Sequence, residues 1–344
     1  LGCAEKLRIP EVTFTPPEMS KNKGKVMKDL INKCAQWIMP LAGLKEAEQT
    51  LYDREGSIIA LQSAPEQFRM KRGLSSIKFF RGASFKRIIR MLPLMRRLGK
   101  DVIISLQSVD QNPKVPKVTV TEAFLCELED YASSLGIGSI GYTHLPREAI
   151  FRNKAVLFDQ VIMLTMEMDR DKMAAAPSEE TMFMIMDTYY KLGRAVNKLV
   201  NYLRLHGYAA QGGHPLGGQA LYPMIAEKAG MGFHGRHGML ISPKYGPRQR
   251  LAAIYCNIIN LPIAQNHEHT WIASFCDQCG QCIRCCPAKA IYKTPIVRES
   301  GTITHIDSSK CFPYFEDHYS CSVCIKECVF NNRAYTDIKK SFLH

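Results

Sequence analysis

Cys276-Asp-Gln-Cys279-Gly-Gln-Cys282-Ile-Arg-Cys285-Cys286-Pro287 is the stretch on which the reading of this chain turns. Cysteines at two-residue gaps, with a last one directly before proline, form a run that holds four-iron clusters: three thiolates face one cube and the fourth reaches the neighbouring one. A stretched second copy follows as Cys311-x9-Cys321-x2-Cys324-x3-Cys328, with Val329 where the first copy has proline. By this crossed rule Cys276, Cys279, Cys282 and Cys328 hold one [4Fe–4S] cluster, and Cys286, Cys311, Cys321 and Cys324 hold the other. Cys285 is left over and reads as a buried thiol. The rival, two four-cysteine zinc sites, shares only the paired Cys-x2-Cys element; a third cysteine at a further two-residue gap is foreign to zinc ribbons.

Working outward, nine of the thirteen cysteines fall between Cys276 and Cys328. A disulfide scaffold would spread them along a small secreted chain, so the clustering points to metal and to reduced thiols. Upstream, no apolar run reaches the length of a membrane span; the most hydrophobic stretch, Val156–Met168, ends in charge and reads as a buried strand. The chain begins at Leu1, and Leu1–Pro17 lacks the charged-then-apolar layout of a signal peptide. The reading is a cytoplasmic protein, at the membrane surface if anchored there, with an exported form that has lost a signal left open. The net charge of +13 is uneven: between Glu66 and Asp101 lie eleven Lys and Arg and no carboxylate. Such a block predicts an acidic partner or an anionic membrane surface.

Residues 1–118 read as a mainly helical basic region. Phe85, Ile88, Ile89 and Leu92 mark one helical face, with Lys86, Arg87 and Arg90 opposite and Pro93 kinking or ending the helix. Packing on its own domain and lying on a membrane are both open to such a helix. From Thr119 helices and strands alternate: a helix over Glu122–Leu135, a strand over Val156–Thr165, a long helix over Met182–Leu205, a glycine-rich loop over Gln211–Gly218, a helix over Gln219–Ala229 and a short strand from Gly238 to Ser242. The order indicates an α/β sandwich over 119–268, followed by the cysteine module over 269–335 and a tail, 336–344.

The block Ala229–Leu251, with Gly-Arg-His-Gly at 235–238 and Tyr-Gly-Pro-Arg at 245–248, resembles the reductive dehalogenase and epoxyqueuosine reductase superfamily. Cys256–Ile263, Leu203–Ala209 and Ala175–Ser178 match its flanking segments, and both cysteine runs follow in its order. The resemblance covers about Thr119 to Asn332. It implies an α/β (α+β) fold: a nitroreductase-like corrinoid-binding domain with a C-terminal ferredoxin-like 2×[4Fe–4S] domain. It further implies a corrinoid (cobalamin) fed with electrons by the two clusters, a small organic substrate, and a low-potential electron donor such as a ferredoxin, a flavodoxin or a membrane redox partner.

Under that resemblance Tyr189 is the expected proton donor, with Tyr190 as its neighbour, Arg248 the group beside the departing anion, and His214 a polar residue near the reacting centre. Gly212, Gly213, Gly217, Gly218, Gly232 and Gly235 are expected to bring backbone close to the corrinoid, with Arg236, Tyr245 and Arg250 supplying polar contacts. His234 and His237 read as exposed loop histidines, or else as an axial cobalt ligand. Asp169 keeps open an epoxyqueuosine-reductase-like reading, with tRNA as partner. A third reading is a corrinoid-free electron-transfer protein.

Overall fold

The computed structural model describes residues 43–67, 85–263 and 268–343. The Arg69–Lys78 part of the basic block, and the side chains of Lys86 and Arg87, lie outside the described residues. In chain order the first part runs α1 (Leu44–Tyr52), β1 (Ile58–Ile59), α2 (Phe85–Gln107), α3 (Glu122–Ser134), β2 (Ser139–His144), β3 (Ala155–Val156), β4 (Gln160–Glu167), α4 (Arg170–Ala174), α5 (Glu179–Leu205), β5 (Ala210–Gly213), α6 (Tyr222–Lys228), β6 (Phe233–His234), β7 (Leu240–Ile241) and β8 (Gln249–Cys256). The cysteine module adds α7 (Trp271–Cys279), α8 (Gln281–Cys285), β9 (Ile291–Val297), β10 (Ile303–Ile306), α9 (Ser308–Asp317), α10 (Val323–Lys326), α11 (Val329–Asn332) and α12 (Tyr335–Leu343).

The central sheet has the order β2-β4-β8-β5, antiparallel throughout. Its middle strands are apolar at nearly every position because both faces are covered, so alternate side chains enter different cores. Ile162, Leu164, Ala252 and Ile254 meet Leu192, Val196, Leu199 and Leu203 of α5 and Leu128 of α3 on one face. Val161, Met163, Ala253 and Tyr255 meet Ile225 and Ala226 of α6 on the other. The result is a three-layer α/β/α sandwich.

Local sequence explains most element starts. Thr121 caps α3 by accepting from the Phe124 N–H, and Ser178 caps α5 by accepting from the Thr181 N–H, each satisfying an otherwise orphaned donor. The Val156–Thr165 strand is two strands, interrupted where the Leu157 N–H is taken by Gln211 Oε1 at 2.7 Å. The expected glycine-rich loop begins as strand β5, since Gln211, Gly212 and Gly213 pair with Tyr255, Ile254 and Ala253 of β8. Helix α2 does not end at Pro93 but continues to Gln107. It packs on α5 through Met91, Met182 and Phe183. Its inward face is Met91, Leu98, Val102 and Leu106, whereas Ile89 is 53% exposed. The helix is therefore docked on its own domain. Among the described residues no helix is long and apolar enough to cross a membrane.

The sheet–α5 core sets the stability of the domain. Leu192 is fully buried there, whereas Leu205, on the last turn of the same helix, is 76% exposed. Leu192→Ala is expected to lower unfolding free energy by about 2–5 kcal/mol, and Leu205→Ala by under about 0.5 kcal/mol, as read by urea denaturation.

Candidate active site and cysteine centres

The two cysteine runs come together in the structure. Helix α7 stops at Gly280, whose left-handed φ of 55° turns the chain directly into α8. That turn brings Cys276, Cys279 and Cys282 to one small cavity, and Cys328, from the far end of the second run, lines the same cavity. Cys286 lies within electrostatic reach of Cys311, Cys321 and Cys324, so the first run's last cysteine stands beside the second set, although Cys282 also lies near Cys324. Among the described residues no group of three or more His, Cys, Asp or Glu is arranged to hold a single metal ion; the first quartet rings a space instead. Cys285 is half-buried, not fully buried as expected, with Gln281 Nε2 donating to its Sγ at 3.4 Å.

Burial raises the thiol pKa of Cys276, Cys321, Cys324 and Cys328, of Cys311 to about 11 and of Cys282 to about 12. Neighbouring thiols add to the rise, since each thiolate formed repels the next. Thiols gathered in this way become thiolates readily only beside a strong cation, and bound iron supplies one. The backbone around the second run is tense. Tyr319, Ser320, Cys321 and Ser322 all have positive φ, from 32° to 63°, at roughly 1–2 kcal/mol per residue. Such strain persists where surrounding bonds over-determine it. Both quartets thus suit [4Fe–4S] clusters in donor type, number and placement.

The module is joined to the sheet at the start of β8. Arg248 is buried and donates from Nη2 to Glu167 Oε1 (2.7 Å), from Nε to the Met168 carbonyl (3.0 Å) and from Nη1 to Asn331 Oδ1 (2.9 Å). A Cβ on Gly246 would lie 2.2 Å from the Phe330 carbonyl oxygen, so glycine alone allows this contact. Lys326 Nζ donates to the Ala176 carbonyl at 3.0 Å. Arg248 is thus fully engaged in holding the module. The arginine at Tyr189 is Arg250, whose guanidinium carbon lies 4.5 Å from the centre of the tyrosine ring and whose Nε is buried without a partner. Tyr189 itself is half-buried in an apolar cluster that also contains Met239, Ile325 and Cys324. Tyr190 points elsewhere and accepts from Arg194 Nη1 at 2.8 Å.

The remaining expected site residues have different surroundings. His214 is 2% exposed, and its ring fills the space above Gly193 of α5, where a Cβ would stand 1.9 Å from Nε2. Burial lowers its pKa to about 4, so the ring is neutral and packed. The glycines expected to face a corrinoid abut the chain itself. Added Cβ atoms at Gly213 and Gly218 would meet the Tyr222 hydroxyl, at Gly232 the Ile241 carbonyl and at Gly235 the His237 ring. Gly212 packs on Val196, and Gly217 adopts φ 79° beside Val102. Tyr245 lies against Gly138, and Arg236 pairs with Asp277 at the edge of the first cysteine cavity. His237, read as an exposed loop residue, is 1% exposed and lines that cavity. His234 is paired with Glu227 and stacked on His305. Asp169 caps α4 by accepting from the Lys172 N–H.

A second cavity of about 390 Å³ opens between α2 and α5. Arg90, Arg97 and Lys172 give it cationic walls, Glu180, Asp187 and Tyr190 polar ones, and Leu94 and Phe183 an apolar floor. This donor set suits the edge of a large amide- and phosphate-bearing group, though not through the glycine loops. Nothing in the sequence separated this wall from an ordinary amphipathic packing face.

No family model matches the chain. It is 31% identical over 185 residues to tetrachloroethene reductive dehalogenase of Desulfitobacterium hafniense, covering 50% of this chain and 33% of that protein. It is 30% identical over 137 residues to epoxyqueuosine reductase of Francisella cf. novicida (strain Fx1), covering 34% of each. The chain thus spans about a third of the length of these curated relatives. Among solved structures, a catabolic reductive dehalogenase in complex with 3-bromo-4-hydroxybenzoic acid superposes with a TM-score of 0.59 at 15% identity, over 88% of this chain and 49% of that one. The mixed α/β domain with its C-terminal cysteine module is therefore the fold of that enzyme.

The Arg248 junction makes a direct prediction. Arg248→Met strands Asn331 and the Met168 carbonyl in a buried interface and is expected to destabilise by about 1–3 kcal/mol. Hydrogen exchange should quicken first in α11 and α12, while the β4–β8 pairing stays protected.

Proposed function

We propose that this chain, whose relatives are reductive dehalogenases and epoxyqueuosine reductases, is the redox core of a corrinoid-dependent reductase of the reductive dehalogenase type. Cys276, Cys279, Cys282 and Cys328 hold one [4Fe–4S] cluster in this reading, and Cys286, Cys311, Cys321 and Cys324 the other. The observation that carries it is that Tyr189 and Cys324 pack on one apolar cluster, with the Arg250 guanidinium against the Tyr189 ring, so that a phenol, a cation and an expected cluster ligand lie together. Clusters of this type move single electrons, and a site that adds electrons to carbon also needs a proton and a means of stabilising charge.

When bound, a corrinoid supplies a low-potential cobalt at which a carbon–halogen bond is reduced. Arg90, Arg97, Lys172 and Tyr190 are the residues placed to hold its polar edge. Tyr189 offers its phenolic O–H as the proton source. Arg250, against the ring, stabilises the phenolate left after transfer. The role assigned to Arg248 from sequence thus passes to Arg250, since all of Arg248's donor nitrogens are engaged. Met184, Met239 and Ile185 pack in the same apolar cluster as the half-buried tyrosine. The substrate is a small organic halide, and the electrons come from a low-potential one-electron carrier.

A second reading, an epoxyqueuosine-reductase-like enzyme acting on tRNA, draws support from the relative in Francisella and the net charge of +13. Its expected acid, Asp169, is occupied as a helix cap. Anaerobically prepared protein loaded with iron and cobalamin decides between them. Tyr189→Phe should keep both cofactors yet lose about 10²-fold or more in dehalogenation, the scale of a general acid. Full activity in that variant would reject Tyr189 as donor; salt-sensitive tRNA binding without dehalogenation would favour the second reading.

A further inference from the structure

The first cysteine cavity has one wall that the proposed chemistry does not use. It is built by the loop from Gly235 to Gly238, which folds back from β6 toward β7 and supplies both Arg236 and His237. Arg236 lines the cavity beside Cys276, and its charge and backbone oppose the burial that raises the Cys276 thiol pKa. His237 stands next to it, buried to 1% exposure. Its Nδ1 accepts from the Met239 N–H at 3.1 Å. A ring nitrogen that accepts carries no hydrogen, so the ring's hydrogen is on Nε2. Nε2 is buried and has no partner. Gly235 makes room for the ring, because a Cβ there would lie 2.7 Å from His237 Cε1.

A buried N–H left unpaired is unfavourable, so a ring held this firmly in a cavity wall calls for an acceptor inside the cavity. The four cysteines lining it provide thiolate sulfurs, and an iron–sulfur cube adds its own sulfides. We propose that His237 Nε2–H donates a hydrogen bond to a sulfur of the cluster held by Cys276, Cys279, Cys282 and Cys328, and so sets that cluster's reduction potential. The proposal rests on the reading that this quartet holds a cluster. Reduction adds one negative charge, which spreads over the sulfurs, and an N–H aimed at a sulfur stabilises the reduced state more than the oxidised one. His237 therefore makes this cluster easier to reduce than it would be in an apolar wall. It is a positioning and tuning residue, not a ligand. The competing acceptor is His305, whose Nδ1 is also buried without a partner.

The test is a potentiometric titration of the anaerobic, cluster-loaded protein, followed by electron paramagnetic resonance. His237→Leu removes the donor at similar volume. It should make one cluster harder to reduce by about tenfold, or about 59 mV lower for a one-electron couple, and leave the other unchanged. His237→Gln, which keeps an N–H near the Nε2 position, should return most of the shift. If both potentials in His237→Leu match wild type while both clusters are retained, the hydrogen bond goes elsewhere, to His305, and the proposal fails. Should His237→Leu lose the cluster, pulsed resonance on wild-type protein labelled with ¹⁵N-histidine decides instead. A hyperfine coupling from one imidazole nitrogen to the reduced cluster supports the proposal, and none overturns it. Wild-type protein that binds no iron at this quartet would reject the cluster reading itself, a distinct result.

Discussion

Arg248 is the joint on which the arrangement depends. Its guanidinium reaches Glu167 and the Met168 carbonyl at the end of β4, and Asn331 in the cysteine module. Those two segments are far apart in sequence, and Arg248, one residue before β8, bridges them. With the junction closed, α10 carries Ile325 and Cys324 against α4 and α5, beside Tyr189 of α5 and the β8 residue Arg250 that packs on its ring. A cation whose three nitrogens are each bonded in a buried interface is costly to leave half-paired, so the junction favours one docking geometry. The distance from cysteine centre to tyrosine is thus fixed by the sheet and not by flexible side chains.

The module itself is assembled against its own electrostatics. Its thiols are buried close together, each raising the pKa of its neighbours. Four successive non-glycine residues beside Cys321 adopt left-handed backbone. Neither feature is favourable for a bare polypeptide, and bonds from thiolate to iron, whose formation is coupled to folding in small metal-binding domains, would offset both. The stretched Cys311-x9-Cys321 gap is where the chain takes up this strain.

The cysteine spacing was readable because its chemistry is local: a two-residue gap plus a turn aims sulfurs together whatever surrounds them. The long helix α5 was legible from its apolar period, although its start at Glu179 and the caps at Thr121 and Ser178 were not read from the sequence. What escaped was tertiary. Strand β8 begins Gln249-Arg250 and carries no strand alternation, since one face meets α5 and the other α6; only pairing with β4 and β5 makes it a strand. The glycines at 212, 213 and 218 looked like a ligand cradle, yet Val196 and Tyr222 take up their space. Pro93 did not stop α2, because packing on α5 outweighs the lost hydrogen bond. His237 looked like a loop histidine, and nothing near it in sequence signals the cavity that buries it. Arg248 and Arg250 are two residues apart and chemically alike, so only the structure assigns one to the joint and the other to the tyrosine.

The central claim is that the two runs exchange their last cysteines, so that each cluster is built from both. The most direct measurement compares electron paramagnetic resonance spectra of reduced Cys286→Ala, Cys324→Ala and Cys279→Ala proteins. Crossed assembly predicts that Cys286→Ala perturbs the same cluster signal as Cys324→Ala and leaves intact the signal that Cys279→Ala perturbs. If Cys286→Ala instead perturbs the Cys279 signal, each run holds its own cluster and the account is wrong.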